Sequence, residues 1–296
     1  MTLPLLNQIS DKLQSAAGSR HVVAVRNSAH QHISGVLWQE QSVVTSDQAV
    51  SGRDRYEIVT PGGDAVPARI AGRDAATNLL LLTTERPVAS SPVVRGVARP
   101  GMLVLALGAD AQGTATVRLG VVNAVGPQWY SQAGGRIDQR VSLDIRLGRT
   151  EEGGAVIDAS GALLGMSTLG AGGEVLVIPC ATIERVVPQL LRDGRVVRGW
   201  LGLALQPVAV PDALRDAAGQ ATGMMVMSVA AEGPGAAANL AAGDILLTVD
   251  GTSVKRARQI AAQLDDHSIG KAASLRLLRA GAVVTLEAMI AARPAS

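Results

Sequence analysis

Residues 141–178 read VSLDIRLGRTEEGGAVIDASGALLGMSTLGAGGEVLVI, and the spacing of their apolar runs is the clearest sign of fold class in the chain. Four short runs rich in aliphatic and β-branched residues, at 141–145, 155–157, 163–168 and 175–178, are separated by segments that contain glycine. Runs of this length between glycines are typical of β-strands joined by tight turns. The segment therefore predicts four strands and no helix.

The same pattern of short strands extends back to residue 21. Further apolar or alternating runs, broken by Gly, Pro, Asp and Asn, lie at 21–25, 34–38, 42–45, 56–60, 65–70, 79–83, 102–107 and 116–125. About twelve strands without intervening helices imply closed barrels or a sandwich. The composition suits such a fold, because 33 glycines favour turns and the absence of Phe leaves small aliphatic residues and Met to build the cores.

The pattern changes after residue 180. Residues 182–192 predict a helix with Thr182 as its N-cap and Gly194 as its end. From residue 199 onward strands alternate with short helices, which predicts a compact α+β module. We therefore expect three parts, a lead-in at 1–20, a strand-rich domain at 21–192 and an α+β domain at 199–291.

The N-terminal segment begins MTLPLLNQ, with no basic region and no long apolar run that would indicate a signal peptide or a membrane span. We therefore expect a cytoplasmic protein without a membrane partner. Within residues 3–17 the apolar positions recur at helical spacing and predict one amphipathic lead-in helix; they are Leu3, Leu6, Ile9 and Leu13.

Charge and cysteine content exclude two classes of protein. Lys and Arg number 27 against 25 Asp and Glu, a net charge of +2, so nucleic-acid binding is not predicted. Cys180 is the only cysteine, so the chain cannot form an internal disulfide, and we expect this side chain to be buried as a small hydrophobic group.

Three segments of the strand-rich part resemble the HtrA family of trypsin-fold serine proteases in their order and separation. They are Ser34-Gly35-Val36 with Val43-Val44-Thr45-Ser46-Asp47-Gln48, then Asp74-Ala75-Ala76-Thr77-Asn78-Leu79-Leu80-Leu81-Leu82, then Thr150-Glu151-Glu152-Gly153-Gly154-Ala155 with Gly161-Ala162-Leu163-Leu164-Gly165. The resemblance implies a mainly β fold, namely a trypsin-like double β-barrel of two six-stranded antiparallel barrels. It also implies that these segments hold the general base, the orienting carboxylate and the nucleophile.

All three catalytic positions differ from the family pattern, and they hold Gln48, Asn78 and Glu152. An amide cannot take the proton that the family's imidazole removes, and a carboxylate cannot replace the serine hydroxyl. Thr150 also replaces a glycine of the oxyanion hole. We therefore expect a pseudoprotease that is not an enzyme, with the Glu152 carboxylate held by the ring of backbone N–H groups. The alternative is an HtrA-type serine endopeptidase of protein quality control.

Other catalytic or metal-binding arrangements are weaker. His30 and His32 have the spacing of a metal-ligand pair, but no third ligand can be named, so a solvated loop is favoured and neither a metal nor a cofactor is expected. Glu151 and Glu152 resemble a pair of acid/base carboxylates, but adjacent residues usually point apart.

The C-terminal module resembles the PDZ domains of the same family. The resemblance rests on Arg198-Gly199-Trp200-Leu201-Gly202-Leu203, on Gly233-Pro234-Gly235-Ala236-Ala237, on Leu240-Ala241-Ala242-Gly243-Asp244-Ile245-Leu246 and on Asp250-Gly251. It implies a carboxylate-binding loop and a peptide groove beside a helix predicted over 255–265. The expected peptide-binding residues are Trp200, Leu201, Gly202, Leu203, Ala204, Leu205, Ile260 and Leu264.

The expected function is a scaffold, chaperone-like holder or regulator that binds C-terminal or extended peptides of other proteins. A homo-oligomer, or a mixed oligomer with active HtrA-type proteases, stays open as a further kind of partner.

Overall fold

The computed structural model describes residues 21–28, 31–50, 55–89, 94–264 and 268–294, together with positions 7, 8, 10, 11, 14, 15 and 18. The four apolar positions of the predicted lead-in helix, Leu3, Leu6, Ile9 and Leu13, lie outside the described residues. The chain divides into two compact units, one of residues 1–129 and 136–196 and one of residues 130–135 and 197–296.

The first half of the first unit is a closed antiparallel barrel of six strands in the order β1-β2-β3-β6-β5-β4. Alternate positions along these strands point inward, as the runs in the sequence predict, and pack aliphatic side chains such as Leu37, Ile58 and Leu80. The strands are β1 (Val22–Ser28), β2 (Gln31–Gln39), β3 (Ser42–Ser46), β4 (Arg55–Val59), β5 (Ala65–Asp74) and β6 (Leu79–Thr84).

A second closed barrel follows, with the order β11-β14-β13-β12-β7-β8. The two barrels and the following helix share one buried cluster that includes Val22, Leu107, Ile157 and Ile183. The elements are β7 (Leu103–Ala109), β8 (Ala115–Gly126), the two-stranded pair β9 (Trp129–Tyr130) and β10 (Arg136–Ile137), β11 (Arg140–Leu143), a 3₁₀ helix (Arg149–Glu151), β12 (Ala155–Asp158), β13 (Leu163–Leu169), a 3₁₀ turn (Ala171–Gly173) and β14 (Val175–Pro179). The predicted double barrel is confirmed.

Helix α1 (Cys180–Asp193) closes the first unit, and it begins two residues earlier than predicted. Pro179 occupies the N-cap position, and Thr182 lies inside the helix with its hydroxyl donating to Asp138 Oδ2 at 2.9 Å. The N-cap prediction was wrong because this hydroxyl serves a tertiary contact rather than a helix terminus. Gly194 ends the helix in a left-handed conformation (φ 69°), as predicted.

The second unit is an α+β module with the sheet order β16-β17-β18-β20-β21. Strand β16 lies at one edge, and β19 pairs with β18 while β15 pairs with β22. The strands are β15 (Gly199–Trp200), β16 (Leu203–Ala209), β17 (Thr222–Val229), β18 (Ile245–Val249), β19 (Thr252–Ser253), β20 (Ala272–Arg279), β21 (Ala282–Met289) and β22 (Ala291–Ala292). The helices are a 3₁₀ helix (Asp212–Leu214), α2 (Arg215–Ala218), α3 (Pro234–Ala237) and α4 (Ala257–Gln263), which is shorter than predicted.

An ion pair between a buried carboxylate and a partly exposed arginine stabilises the second unit. Asp244 is 2% exposed and accepts from Arg279 Nε at 2.8 Å, from Arg279 Nη2 at 2.6 Å and from the Ala241 amide at 2.9 Å. Burial acts to raise the pKa of this carboxyl, but the bonds from Arg279 and Ala241 outweigh it, so the pKa lies below its usual range.

Because the folded-state pKa is depressed, Asp244 contributes stability above its unfolded pKa of about 4, and that contribution is lost as the pH falls through the folded value. We expect Asp244→Asn to cost about 2 kcal/mol at pH 7 and much less at pH 2, measured by calorimetric unfolding at both pH values. Asp212→Asn is the control, because the Asp212 carboxylate is 87% exposed. An equal loss at both pH values would contradict the account.

Candidate functional site

The three positions that correspond to the family's catalytic residues converge between the two barrels. Gln48 follows the end of β3, Asn78 precedes β6, and Glu152 precedes β12. The side-chain Nε2 of Gln48 donates to Glu152 Oε1 at 2.6 Å, and the backbone N–H of Gln48 donates to Asn78 Oδ1 at 2.8 Å. One connected group of side chains therefore fills the position of the triad.

Four donors hold one oxygen of the Glu152 carboxylate, and Glu152 itself is 5% exposed. Besides Gln48 they are Ser46 Oγ at 2.8 Å, Thr168 Oγ1 at 2.9 Å and the Leu169 amide at 3.2 Å. A buried carboxylate is stable only when such donors replace its water shell. We call Ser46, Gln48, Asn78, Glu152 and Thr168 the inter-barrel cluster, because it joins the ends of β3 and β6 to those of β12 and β13.

The expected ring of backbone N–H groups does not hold Glu152, since only one of its four donors is a backbone amide. The amides that follow it are used elsewhere: the Gly153 amide donates to the Ser167 carbonyl at 2.9 Å and the Gly154 amide to the Glu151 carbonyl at 3.3 Å. Side chains from both barrels, rather than a ring of backbone N–H groups, therefore bind the Glu152 carboxylate. Of these, Ser46 and Thr168 were not predicted from the sequence.

Asn78 suits its position because its backbone is left-handed, with φ 56°, a conformation that Asn tolerates better than most residues. Its Nδ2 donates to Thr168 Oγ1 at 2.7 Å and to Ser46 Oγ at 2.9 Å. Asn78 therefore holds in place two of the hydroxyls that donate to Glu152.

The neighbours of Glu152 have other partners. Glu151 accepts from Arg118 Nε at 2.8 Å and from the Gly148 amide at 2.6 Å, so the two adjacent carboxylates bind different groups. Thr150 is exposed, and its carbonyl accepts from Ser34 Oγ at 2.7 Å. An acid/base pair formed by Glu151 and Glu152 has no geometric support.

The inter-barrel cluster contains amides, hydroxyls and one carboxylate, but no imidazole. Serine protease chemistry requires an imidazole that takes a proton from an exposed hydroxyl, whereas Ser46 Oγ is fully buried and donates to Glu152. His21 is buried, which lowers its pKa, and His32 is half-buried on β2. His30 and His267 lie outside the described residues. Within the described ranges no three His, Cys, Asp or Glu side chains group as metal ligands. Cys180 is buried, and burial raises the pKa of its thiol to about 12.

A groove of about 270 Å³ lies in the second unit between the edge strand β16 and helix α4. Its lining includes the predicted residues Trp200, Leu201, Gly202, Leu203, Leu205, Ile260 and Leu264. Ala204, also predicted, does not line the groove, because alternate side chains of a strand face opposite sides of a sheet. Arg198, from the segment that resembles the carboxylate-binding loop, lines it as well. Ala261 and Arg293 also line it and were not predicted.

The loop at one end of the groove has a defined orientation. The Leu201 carbonyl accepts from the Gly235 amide, and the Gly202 carbonyl accepts from the Ala230 amide, both at 2.8 Å. In a trans peptide unit the C=O and N–H groups point in opposite directions. The amides of Gly202 and Leu203 therefore point away from residues 230–235, as a carboxylate-binding loop requires.

Comparisons with known proteins agree with both units. Residues 33–166 match the trypsin-like peptidase domain family, and residues 199–290 match the PDZ domain family. A protein of Brucella suis named "Probable periplasmic serine endoprotease DegP-like" is 30% identical over 269 residues, which cover 88% of this chain and 52% of the relative. The serine endoprotease DegS of Escherichia coli is 25% identical over 89% of this chain and 77% of its own. The chain thus spans about half the length of the DegP-like relatives that it matches.

Solved structures show the same arrangement. The HtrA-type protease AlgW with a tripeptide is 26% identical, has a TM-score of 0.73 and is matched over 97% of this chain and 98% of its own. AlgW with a decapeptide, 23% identical with a TM-score of 0.74, is similar in fold over 97% and 99%.

These similarities correct two expectations from the sequence. The expectation that the chain is not an enzyme was wrong by this comparison, because the similar proteins are named as serine endoproteases or HtrA-type proteases and point to an enzyme. That expectation rested on Gln48, Asn78 and Glu152, which belong to a single site, whereas the similarity extends over both domains. The expected cytoplasmic location was also wrong, because the DegP-like relatives are named as periplasmic. It was inferred from the first residues alone, which say nothing of the shared domains.

No helix of the described residues is both long and apolar enough to cross a membrane. The chain has the HtrA-type combination of a trypsin-like peptidase domain and a PDZ domain.

Proposed function

We propose that the chain binds the C-terminal ends of other proteins in the groove between β16 and α4 and acts through this binding as a scaffold, chaperone-like holder or regulator. The observation that carries the proposal is the groove itself, which combines a strand at the edge of the sheet with a loop. The carbonyls of this loop bind residues 230–235, so its N–H groups point the other way and are available to a ligand. An extended peptide can add to such an edge as a further strand while its carboxylate meets the amides of the loop.

The groove also indicates the kind of terminal residue it accepts. Leu203 and Leu205 lie on one wall, and Ile260 and Leu264, one helical turn apart, on the other. Ile260 is 5% exposed, so this wall is fixed by the core of the unit. A ligand should therefore end in an apolar residue. Among similar structures, the AlgW structures with a tripeptide and with a decapeptide support peptide binding by this arrangement.

The test is a calorimetric titration of the purified chain with acetylated peptides that end in Val, each as a free acid and as a C-terminal amide. We expect the free acid to bind with a Kd on the order of 10 μM, and the amide to bind at least tenfold more weakly because it lacks the charge that the loop amides recognise. A peptide ending in Asp serves as the specificity control. Equal affinity of acid and amide, or no binding at millimolar concentration, would overturn the proposal.

Endopeptidase activity is the second candidate, and the names of the relatives favour it. By the same similarity we propose a periplasmic location. Hydrolysis at the inter-barrel cluster would need a nucleophile other than a serine hydroxyl at position 152. Casein digestion by the chain and by its Gln48→Ala and Glu152→Ala variants tests this candidate. Activity lost in both variants at a temperature where both are folded would establish the site, whereas activity that survives in both would rule this site out.

A further inference from the structure

Strand β16 carries a proline in the middle of its pairing with β17. Leu205 pairs with Val226, Pro207 with Met224 and Ala209 with Thr222, so the ladder continues on both sides of the proline. A proline has no N–H, and within a sheet it is tolerated where its nitrogen faces away from the neighbouring strand. In the sheet formed by the described residues, β16 has β17 as its one neighbour, so the Pro207 nitrogen faces the open edge.

The groove ends at the same place along the strand. Of the residues of β16, Leu203 and Leu205 line the groove, whereas Pro207 does not line it and is exposed. The opposite wall, formed by Ile260, Ala261 and Leu264, lines the same groove as Leu203 and Leu205. The apolar walls therefore end between Leu205 and Pro207, and at Pro207 the row of edge-facing N–H groups is interrupted.

We propose that Pro207 limits the length of peptide that the groove recognises, an inference that rests on the proposed peptide binding. In an antiparallel pair, alternate residues exchange hydrogen bonds with the partner strand. A ligand whose last residue lies opposite Leu203 places its third-last residue opposite Leu205 and its fifth-last opposite Pro207. The Pro207 carbonyl can accept one bond there, but the reciprocal N–H is missing. Full backbone pairing of the ligand therefore ends before its fifth-last residue.

The test compares acetylated peptides of three, four, six and eight residues that share the same C-terminal sequence ending in Val. For the wild-type chain, affinity should change by less than about threefold from four to eight residues, because the fifth-last residue can form only the bond to the Pro207 carbonyl. In Pro207→Ala the restored N–H should make the six- and eight-residue peptides bind about fivefold more tightly than the four-residue peptide. Pro211→Ala is the matched control, since Pro211 lies beyond the end of β16.

The outcomes separate this inference from the proposed function. If no peptide binds to any variant, the proposed function itself is overturned. If wild-type affinity keeps rising up to eight residues, peptide binding stands but the length limit is wrong. A plateau that remains in Pro207→Ala would show that another residue sets the limit. The wild-type length series tests the proposal even if Pro207→Ala does not fold.

Discussion

Glu152→Ala should destabilise the first unit by about 3 kcal/mol and lower its Tm by about 6–12 °C. The substitution leaves four donors without their shared acceptor, and the hydroxyls of Ser46 and Thr168 are buried where water cannot replace it. Glu152→Gln should cost less, about 2 kcal/mol, because the amide keeps one acceptor oxygen. Differential scanning calorimetry of the full chain at pH 7 measures both effects.

The control for this prediction is Glu174→Ala. Glu174 also forms an ion pair, with Arg140 at 2.8 Å, but its side chain is 38% exposed, so its loss should cost less than about 1 kcal/mol. If Glu152→Ala has the same Tm as the wild type, the carboxylate does not stabilise the junction of the barrels.

Gly202→Val should weaken binding of Val-terminated peptides at least tenfold and destabilise the second unit by about 2 kcal/mol. Gly202 has φ 73°, a conformation that a β-branched residue adopts only under strain. A Cβ there would also lie 3.2 Å from Gly233 Cα and 3.3 Å from both Ala230 Cβ and Trp200 Cζ2. The loop must shift, and the direction of its amides shifts with it. Calorimetric titration at a temperature where the variant is folded measures the effect.

Gly219→Val separates loss of stability from loss of binding. Gly219 has φ 70°, close to that of Gly202, but nothing lies within 4 Å of an added Cβ. This variant should therefore bear a similar backbone cost and keep the wild-type affinity. If Gly202→Val binds as tightly as the wild type, the loop does not hold the ligand carboxylate.

The strands of both barrels could be predicted from the sequence because each has its own short apolar run bounded by turn residues. The run at 163–168, for example, became β13 (Leu163–Leu169). Local pattern was less informative for α1, where the N-cap prediction at Thr182 failed because a tertiary bond to Asp138 uses the hydroxyl. A threonine that caps a helix and a threonine that bonds to a distant side chain cannot be told apart in the sequence.

The partners of Glu152 could not be predicted in the same way. Ser46 lies 106 residues from Glu152 in the chain and Thr168 lies 16 residues away, and both reach it only because the barrels close and pack together. Arg293 lines the groove because β22 pairs with β15 over two residues, which is too short a pairing to leave a pattern in the sequence. The order of the motifs in the sequence indicated that Gln48, Asn78 and Glu152 meet, whereas their partners Ser46 and Thr168 follow only from the packing of the barrels.

Binding of a peptide C-terminus between β16 and α4 is tested most directly by chemical-shift mapping of the isotopically labelled full chain. On titration with an acetylated peptide ending in Val, we expect the largest shifts at the amides of Gly202, Leu203 and Leu205 and at the methyl groups of Ile260 and Leu264. Shifts confined to β21 or to the inter-barrel cluster, with none along β16, would contradict it.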